Sequence, residues 1–192
     1  MTSDEKWILF NNQVRSHQWH SKGQRAIATT RPDWRQKKVM LCVWWWCGGV
    51  IHWELVEKGQ TIIAETYCAQ LDRVQAKLRS PGLSVLSRSG VSFLHDNARP
   101  HVAQQTQTKI NELGWELVTH PPYSPDLAPS DYHLFRSLEH SLRGKRFINV
   151  DQVKKHLSQY FASKSKSFYQ RGIYLLPEKW QKVINSNGEY FE

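Results

Sequence analysis

The stretch from Val91 to Asp131 constrains the fold more than any other. An apolar run, VSFLHDN, is followed by a helix-like segment, a second apolar run and the proline-studded PPYSPDLAPSDYHLF. Val91, Phe93 and Leu94 follow Gly90 and precede polar Asp96 and Asn97, so the run reads as a short buried strand with Asp96 at its C-terminal tip. In a parallel or mixed α/β sheet, ligands collect in the crevice beyond the strand ends, where a carboxylate is well placed for chemistry. Pro125 and Pro129 keep the later segment extended. Ser130 is then a good N-cap, and Asp131 falls in the first helical turn, where negative charge is favoured. Taken alone, that position makes Asp131 a helix-capping acid.

The remaining segments read in order as follows. DEKWILF, residues 4–10, is a strand candidate. Asn11 to Lys38 is polar and basic, with Trp19, Trp34, Gly23 and Pro32 scattered through it; a structureless connection of that length points to a partner-binding loop, suited to DNA backbone or a second subunit. VMLCVWWW, Gly48, Gly49 and VIHWELV predict a β-hairpin whose second arm buries one face. From Ala64 to Leu78, Tyr67, Leu71, Val74 and Leu78 share one helical face, leaving Asp72, Arg73 and Lys77 solvated. Pro100 opens a single helix bearing Val102, Thr106, Ile110 and Leu113, stopped by Gly114, and WELV is the next short strand. Leu134, Phe135, Leu138 and Leu142 line the helix that Asp131 opens; Asp151 caps another carrying Val153, Leu157, Tyr160 and Phe161. Residues around Pro177, Trp180, Val183 and Ile184 pack a last helix over the sheet. The order predicts one α/β domain, a mixed sheet flanked by helices.

Charge narrows the function. Lys and Arg number 26 against 17 Asp and Glu, a net +9, which calls for a polyanionic partner, nucleic acid first and anionic membrane second. No apolar stretch reaches membrane-spanning length and no signal-peptide pattern opens the chain, so an intracellular protein without a membrane partner is expected. Three cysteines without a CxxC pair support neither disulfides nor zinc.

In such a basic chain, Asp4, Asp96 and Asp131 become informative if their elements are neighbours. Asp4 by position alone is a solvated terminal acid. Clustered carboxylates repel and raise one another's pKa, and hard divalent cations relieve that cost. Two such ions about 3.5 to 4 Å apart can drive phosphodiester displacement. A glycosidase would leave the third acid and the positive charge without a role. His95, Asn97, Arg99 and His101 surround the second acid; a histidine beside a strand tip more often packs or hydrogen-bonds than reacts, so His95 and Asn97 are expected to support the acids from behind.

TSDEKWILF, VMLCVWWW, FLHDNARPH, PPYSPDLAPSDYHLF and the C-terminal GEYF together resemble the catalytic domain of mariner-type transposases, in matching order across the whole chain. The resemblance implies a ribonuclease H-like fold with a long clamp-like loop insertion. It makes Asp4, Asp96 and Asp131 the catalytic, metal-binding triad, with 34 residues between the last two as in the family. It further implies two Mg²⁺ or Mn²⁺ ions per site, cut-and-paste cleavage of transposon ends, and strand transfer into a TA target. A homodimer on DNA and nuclear localisation go with that activity. Within the loop, Arg31, Trp34, Arg35, Lys37 and Lys38 would form the DNA-binding or dimer clamp. Nothing in residues 1–192 corresponds to the family's helix-turn-helix modules, so sequence-specific end binding is not expected of this chain alone. Ser3 stands where glycine is common, Trp46 where a polar residue is usual, and the first strand starts at Met1, which is expected to loosen the support of Asp4. Those departures favour a rival reading, a basic DNA-binding or dimerisation module that has lost catalysis.

Overall fold

Strand β2, Lys38–Trp46, is apolar along almost its whole length because it is covered on both sides. Val39, Leu41, Val43 and Trp45 belong to one buried cluster, while Cys42 and Trp44 belong to a second. A central strand needs no polar face, so the alternation of a half-exposed strand is absent. The structure is a computed structural model that describes residues 1–14, 23, 36–57, 59–83 and 90–186.

On one side of β2 runs β1, Thr2–Leu9, and on the other β3, Gly49–Leu55, both antiparallel to it. Trp44 faces His52 but Trp45 faces Val50, so Ile51 is an extra residue in β3. This bulge has a consequence that alternation does not foresee. Val50, Trp53 and Leu55 pack against the first cluster, whereas Ile51 and Val56 lie in the second. Both faces of β3 are therefore covered, in place of the single buried face that the sequence predicts.

Helix α1, Ala64–Leu78, lies where its periodicity puts it, with Tyr67, Leu71, Val74 and Leu78 fully buried. Asp72, Arg73 and Lys77 are exposed as expected, and two of them also pair: Arg73 donates twice to Glu54 at 2.8 Å, and Asp72 pairs with Lys109 at 3.3 Å. Strand β4, Val91–Phe93, runs parallel to β5, Trp115–Leu117. A parallel bridge between Thr2 and Leu94, with backbone bonds Ser3 N to Leu94 O and Leu94 N to Met1 O at 3.0 Å, joins this pair to β1. Across the joined sheet the order is β3-β2-β1-β4-β5. The start of β1 is thus tied on both edges.

Between β4 and β5 the single predicted helix is two, α2, Arg99–Val102, and α3, Gln104–Glu112, broken at Ala103, which is extended (φ −60°, ψ 143°). Val102 consequently points outward, while Thr106 and Ile110 are buried. Gly114 ends this unit at φ 69°, a value glycine adopts without strain. Further on come a 3₁₀ turn, Pro125–Leu127, a π-helical turn, Ser130–Phe135, and α4, Arg136–Leu142, continuous with it. Helix α5, Val150–Ala162, is capped by Asn149, whose side chain accepts from Gln152 N at 3.0 Å; Asp151 sits in its first turn and is not the cap. Helix α6, Lys166–Asn185, docks through its N-terminal half, burying Tyr169 and Gly172. The residues expected to pack it, around Pro177 to Ile184, lie on the distal half, where Ile184 is exposed. Helices α4, α5 and α6 cover one sheet face and α1 and α3 the other, each burying one of the two clusters. Among the described residues no helix is long and apolar enough to cross a membrane, and Cys42, Cys47 and Cys68 are free thiols.

Candidate active site

The start of β1 is joined to the end of β4 through Met1, Thr2 and Ser3, and Asp4 and Asp96 each follow that junction by two residues, counted from Thr2 and Leu94. Asp4 sits in mid-strand, paired in register with Val43, and its carboxylate accepts from Glu5 N at 2.7 Å. Burial holds its pKa well above the ordinary carboxylate range, and the charges of Asp131, Glu5 and Asp96 push the same way. Asp131 is raised by its own burial, relieved by Lys6 and opposed by Asp96. The three acids come from β1, the loop after β4 and the π-helical turn, and the charges of Asp131 and Asp96 both bear on Asp4. Among the described residues, no three His, Cys, Asp or Glu side chains stand close enough to form a finished metal cage.

Asp96 is held differently. Both of its hydrogen bonds fall on Oδ1, from His101 Nδ1 at 2.6 Å and Ala98 N at 3.0 Å. Burial works to raise its pKa, but those bonds outweigh it and the carboxyl is lowered. His101 itself is buried; burial would depress it, yet its bonds to Asp96 and Glu5 raise it to about 9. The sequence predicts packing or hydrogen-bonding histidines here and supports in His95 and Asn97; His101 is a hydrogen-bonding one. Neither His95 nor Asn97 bonds an acid. His95 Nδ1 pairs with Tyr67 Oη at 3.0 Å, and Asn97 Nδ2 donates to His120 O at 2.7 Å. Burial together with His101 drives His95 down to about 3, so it is a neutral ring at physiological pH. The spacing in HDNARPH, which brings position 101 back over position 96 through the four-residue α2, was the available signal.

Asp131 is placed by its neighbours. Ser130 is fully buried and accepts from Trp45 Nε1 at 3.0 Å, so it ties the turn to β2 and does not act as the predicted N-cap. On the following residues, Tyr132 Oη donates to Gly172 O and His133 Nε2 bonds Phe168 O, each at 2.8 Å. Of the predicted clamp, Arg31, Trp34 and Arg35 lie outside the described residues. Lys37 and Lys38 stand with their ammoniums 4.4 Å from the ring centres of Phe10 and Trp7.

Three hard oxygen donors fit a Mg²⁺- or Mn²⁺-type cation. Asp4, half-buried on β1, feels the charges of both Asp131 and Asp96, and a cation among them would offset that repulsion. Sheet order and helices on both faces define a class, the ribonuclease H-like domains.

Known proteins narrow the class. The family described as Transposase (partial DDE domain) matches residues 9–86, a span that contains none of the three acids. The chain is 45% identical over 193 residues to the mariner Mos1 transposase of Drosophila mauritiana, covering all of this chain and 56% of that protein. It is 44% identical over 192 residues to the human histone-lysine N-methyltransferase SETMAR, covering 28% of it. The crystal structure of the catalytic domain of Mos1 mariner transposase superposes with a TM-score of 0.82 at 43% identity, and 83% of that chain is covered. The Mos1 paired-end complex with Mn matches at 0.91, with 46% identity and 56% coverage. This chain belongs to the mariner transposase catalytic domains. It spans between about a quarter and a little over half of the curated relatives it matches.

Proposed function

We propose that the chain catalyses metal-dependent cleavage of DNA phosphodiesters and transfer of the freed end to target DNA, the chemistry of cut-and-paste transposition. One observation carries the reading: Asp4, Asp96 and Asp131 come from three separate elements, yet the charges of Asp131 and Asp96 both bear on Asp4. Holding like charges near one another is costly, and a divalent cation offsets the repulsion. These three residues would hold two Mg²⁺ or Mn²⁺ ions, which supply activation of water or a 3′-hydroxyl and stabilisation of the leaving oxygen.

The chain's own residues divide the remaining work. Asp96, whose side chain is 48% exposed, has Oδ1 bound to His101 and Ala98, which leaves Oδ2 for a cation. Asp131 enters from a turn pinned by Trp45 and α6. Lys6, 3.6 Å from Glu139, lowers the charge burden on Asp131. The net +9 favours the DNA backbone, with binding that weakens as salt rises. Transposon ends and a TA target, a homodimer in the DNA-bound state, a clamp from Arg31, Trp34, Arg35, Lys37 and Lys38, and a nuclear site of action complete the proposal; the similarity to Mos1 transposase in a paired-end complex with a transposon end and in a strand transfer complex supports the DNA part of it.

The test is nicking of supercoiled plasmid in Mn²⁺ or Mg²⁺. Activity that Asp96→Ala abolishes supports the assignment; salt-sensitive DNA binding without metal-dependent cleavage in the unsubstituted chain would return the protein to the non-catalytic binding module.

A further inference from the structure

His101 lies between two carboxylates on different elements. Its side chain is 2% exposed; Nδ1 is 2.6 Å from Asp96 Oδ1, and Nε2 is 3.4 Å from Glu5 Oε1. Glu5 neighbours Asp4 on β1, and its Oε1 is buried with no aligned hydrogen bond. The imidazole is also fixed face to face: it stacks on His95 with centroids 5.1 Å apart and planes 10° from parallel, and lies 4.1 Å from the Tyr67 ring. Tyr67, from α1, closes the frame through its hydroxyl, 3.2 Å from Ser3 Oγ and 3.0 Å from His95 Nδ1. Strand β1, helix α1 and the segment from Leu94 to Val102 thus meet at one ring.

This arrangement solves a problem specific to Asp96. An exposed aspartate samples several rotamers, and ordering it when a cation arrives subtracts from the binding free energy. A buried donor that already holds one carboxylate oxygen removes that cost, provided the donor cannot itself move. His101 meets the condition because the ring is buried against His95 and Tyr67 and the far nitrogen faces Glu5.

We propose that His101 is a positioning residue for the metal site: it fixes the Asp96 carboxylate through Nδ1 and braces it against Glu5 of the strand that carries Asp4. The proposal rests on the reading of the three aspartates as cation ligands. It assigns Glu5 a role as anchor, with its side chain directed away from the cation.

Two measurements on the whole chain test it. In the metal-free protein, ¹H–¹⁵N spectra of the histidine rings are expected to show an exchange-protected Nδ1–H on His101 that shifts in Asp96→Asn. Calorimetric titration with Mn²⁺ is then compared across variants. His101→Ala is expected to weaken Mn²⁺ about 10- to 100-fold, the usual cost of losing a residue that orients a ligand. His101→Asn, whose amide can still donate to Asp96, should recover most of that loss, while a merely structural role would lower thermal stability in both without separating their affinities. A folded His101→Ala with undiminished Mn²⁺ affinity overturns the proposal and leaves the active site standing; so does an Nδ1–H indifferent to Asp96→Asn, even where His101→Ala does not fold. If the unsubstituted chain binds no Mn²⁺, the active-site reading itself fails and takes the proposal with it.

Discussion

Helix α6 approaches the site helix so closely at Gly172 that one added methyl group should be felt. A Cβ built there would stand 2.5 Å from His133 Cδ2, 2.8 Å from the Trp45 ring and 3.0 Å from His133 Cγ. None of these atoms is at the end of a flexible chain. Trp45 is fully buried with its indole N–H on Ser130, and His133 is held by Phe168 O and lies 4.2 Å from the Phe168 ring. Alanine in mid-helix ordinarily gains about 0.5–1 kcal/mol over glycine. Overpacking of a rigid contact costs about 1–3 kcal/mol, so Gly172→Ala should destabilise by roughly 0.5–2 kcal/mol. At about 2–4 °C per kcal/mol for a domain of this size, the melting temperature falls by a few degrees. Calorimetric melts of Gly172→Ala, alone and in a His133→Ala background, measure the coupling. With the imidazole gone the same change should cost less or stabilise, a departure from additivity expected of touching residues. If Gly172→Ala raises the melting temperature in the unsubstituted background, the close-approach argument is refuted.

Two further outcomes follow from electrostatics. Because burial and the neighbouring acids raise Asp4, its folded-state pKa exceeds the unfolded one; stability is full below the ordinary carboxylate value and is lost as pH rises through the raised value. Asp4→Asn should therefore stabilise the metal-free chain at pH 7, by about 0.5–2 kcal/mol, while abolishing Mn²⁺ binding; denaturant melts showing the metal-free variant weaker than the parent contradict this. Glu54 has the opposite sign. Burial would raise it, but hydrogen bonds from His52, Arg73 and Gln70 lower it from 4.5 to about 2. Its contribution is present above pH 4.5 and fades as pH falls toward 2. With Arg73 half-exposed, Glu54→Gln should cost only about 1–2 kcal/mol at pH 7, and the gap in urea midpoints between variant and parent should narrow by pH 3; a constant gap would falsify the assignment.

Residue periodicity and spacing by themselves determined much of this protein. The hairpin around Cys47 and Gly48, the buried face of α1, and the helical positions of Leu134, Leu138, Val153 and Leu157 all depend on neighbours within a few residues. The acids Asp4, Asp96 and Asp131 were legible as candidates because each stands beside a strand or helix boundary signal and recurs in a family pattern. Tertiary structure decided the rest. The bulge at Ile51 follows from fitting β3 between two cores, and Ser130 left the capping role because the buried Trp45 indole needs an acceptor. His101 looked like any histidine near a strand tip, since its meaning depends on Glu5, 96 positions earlier, lying across the cleft. Only the folded sheet brings those charges within reach, and at that distance in sequence nothing local records the encounter.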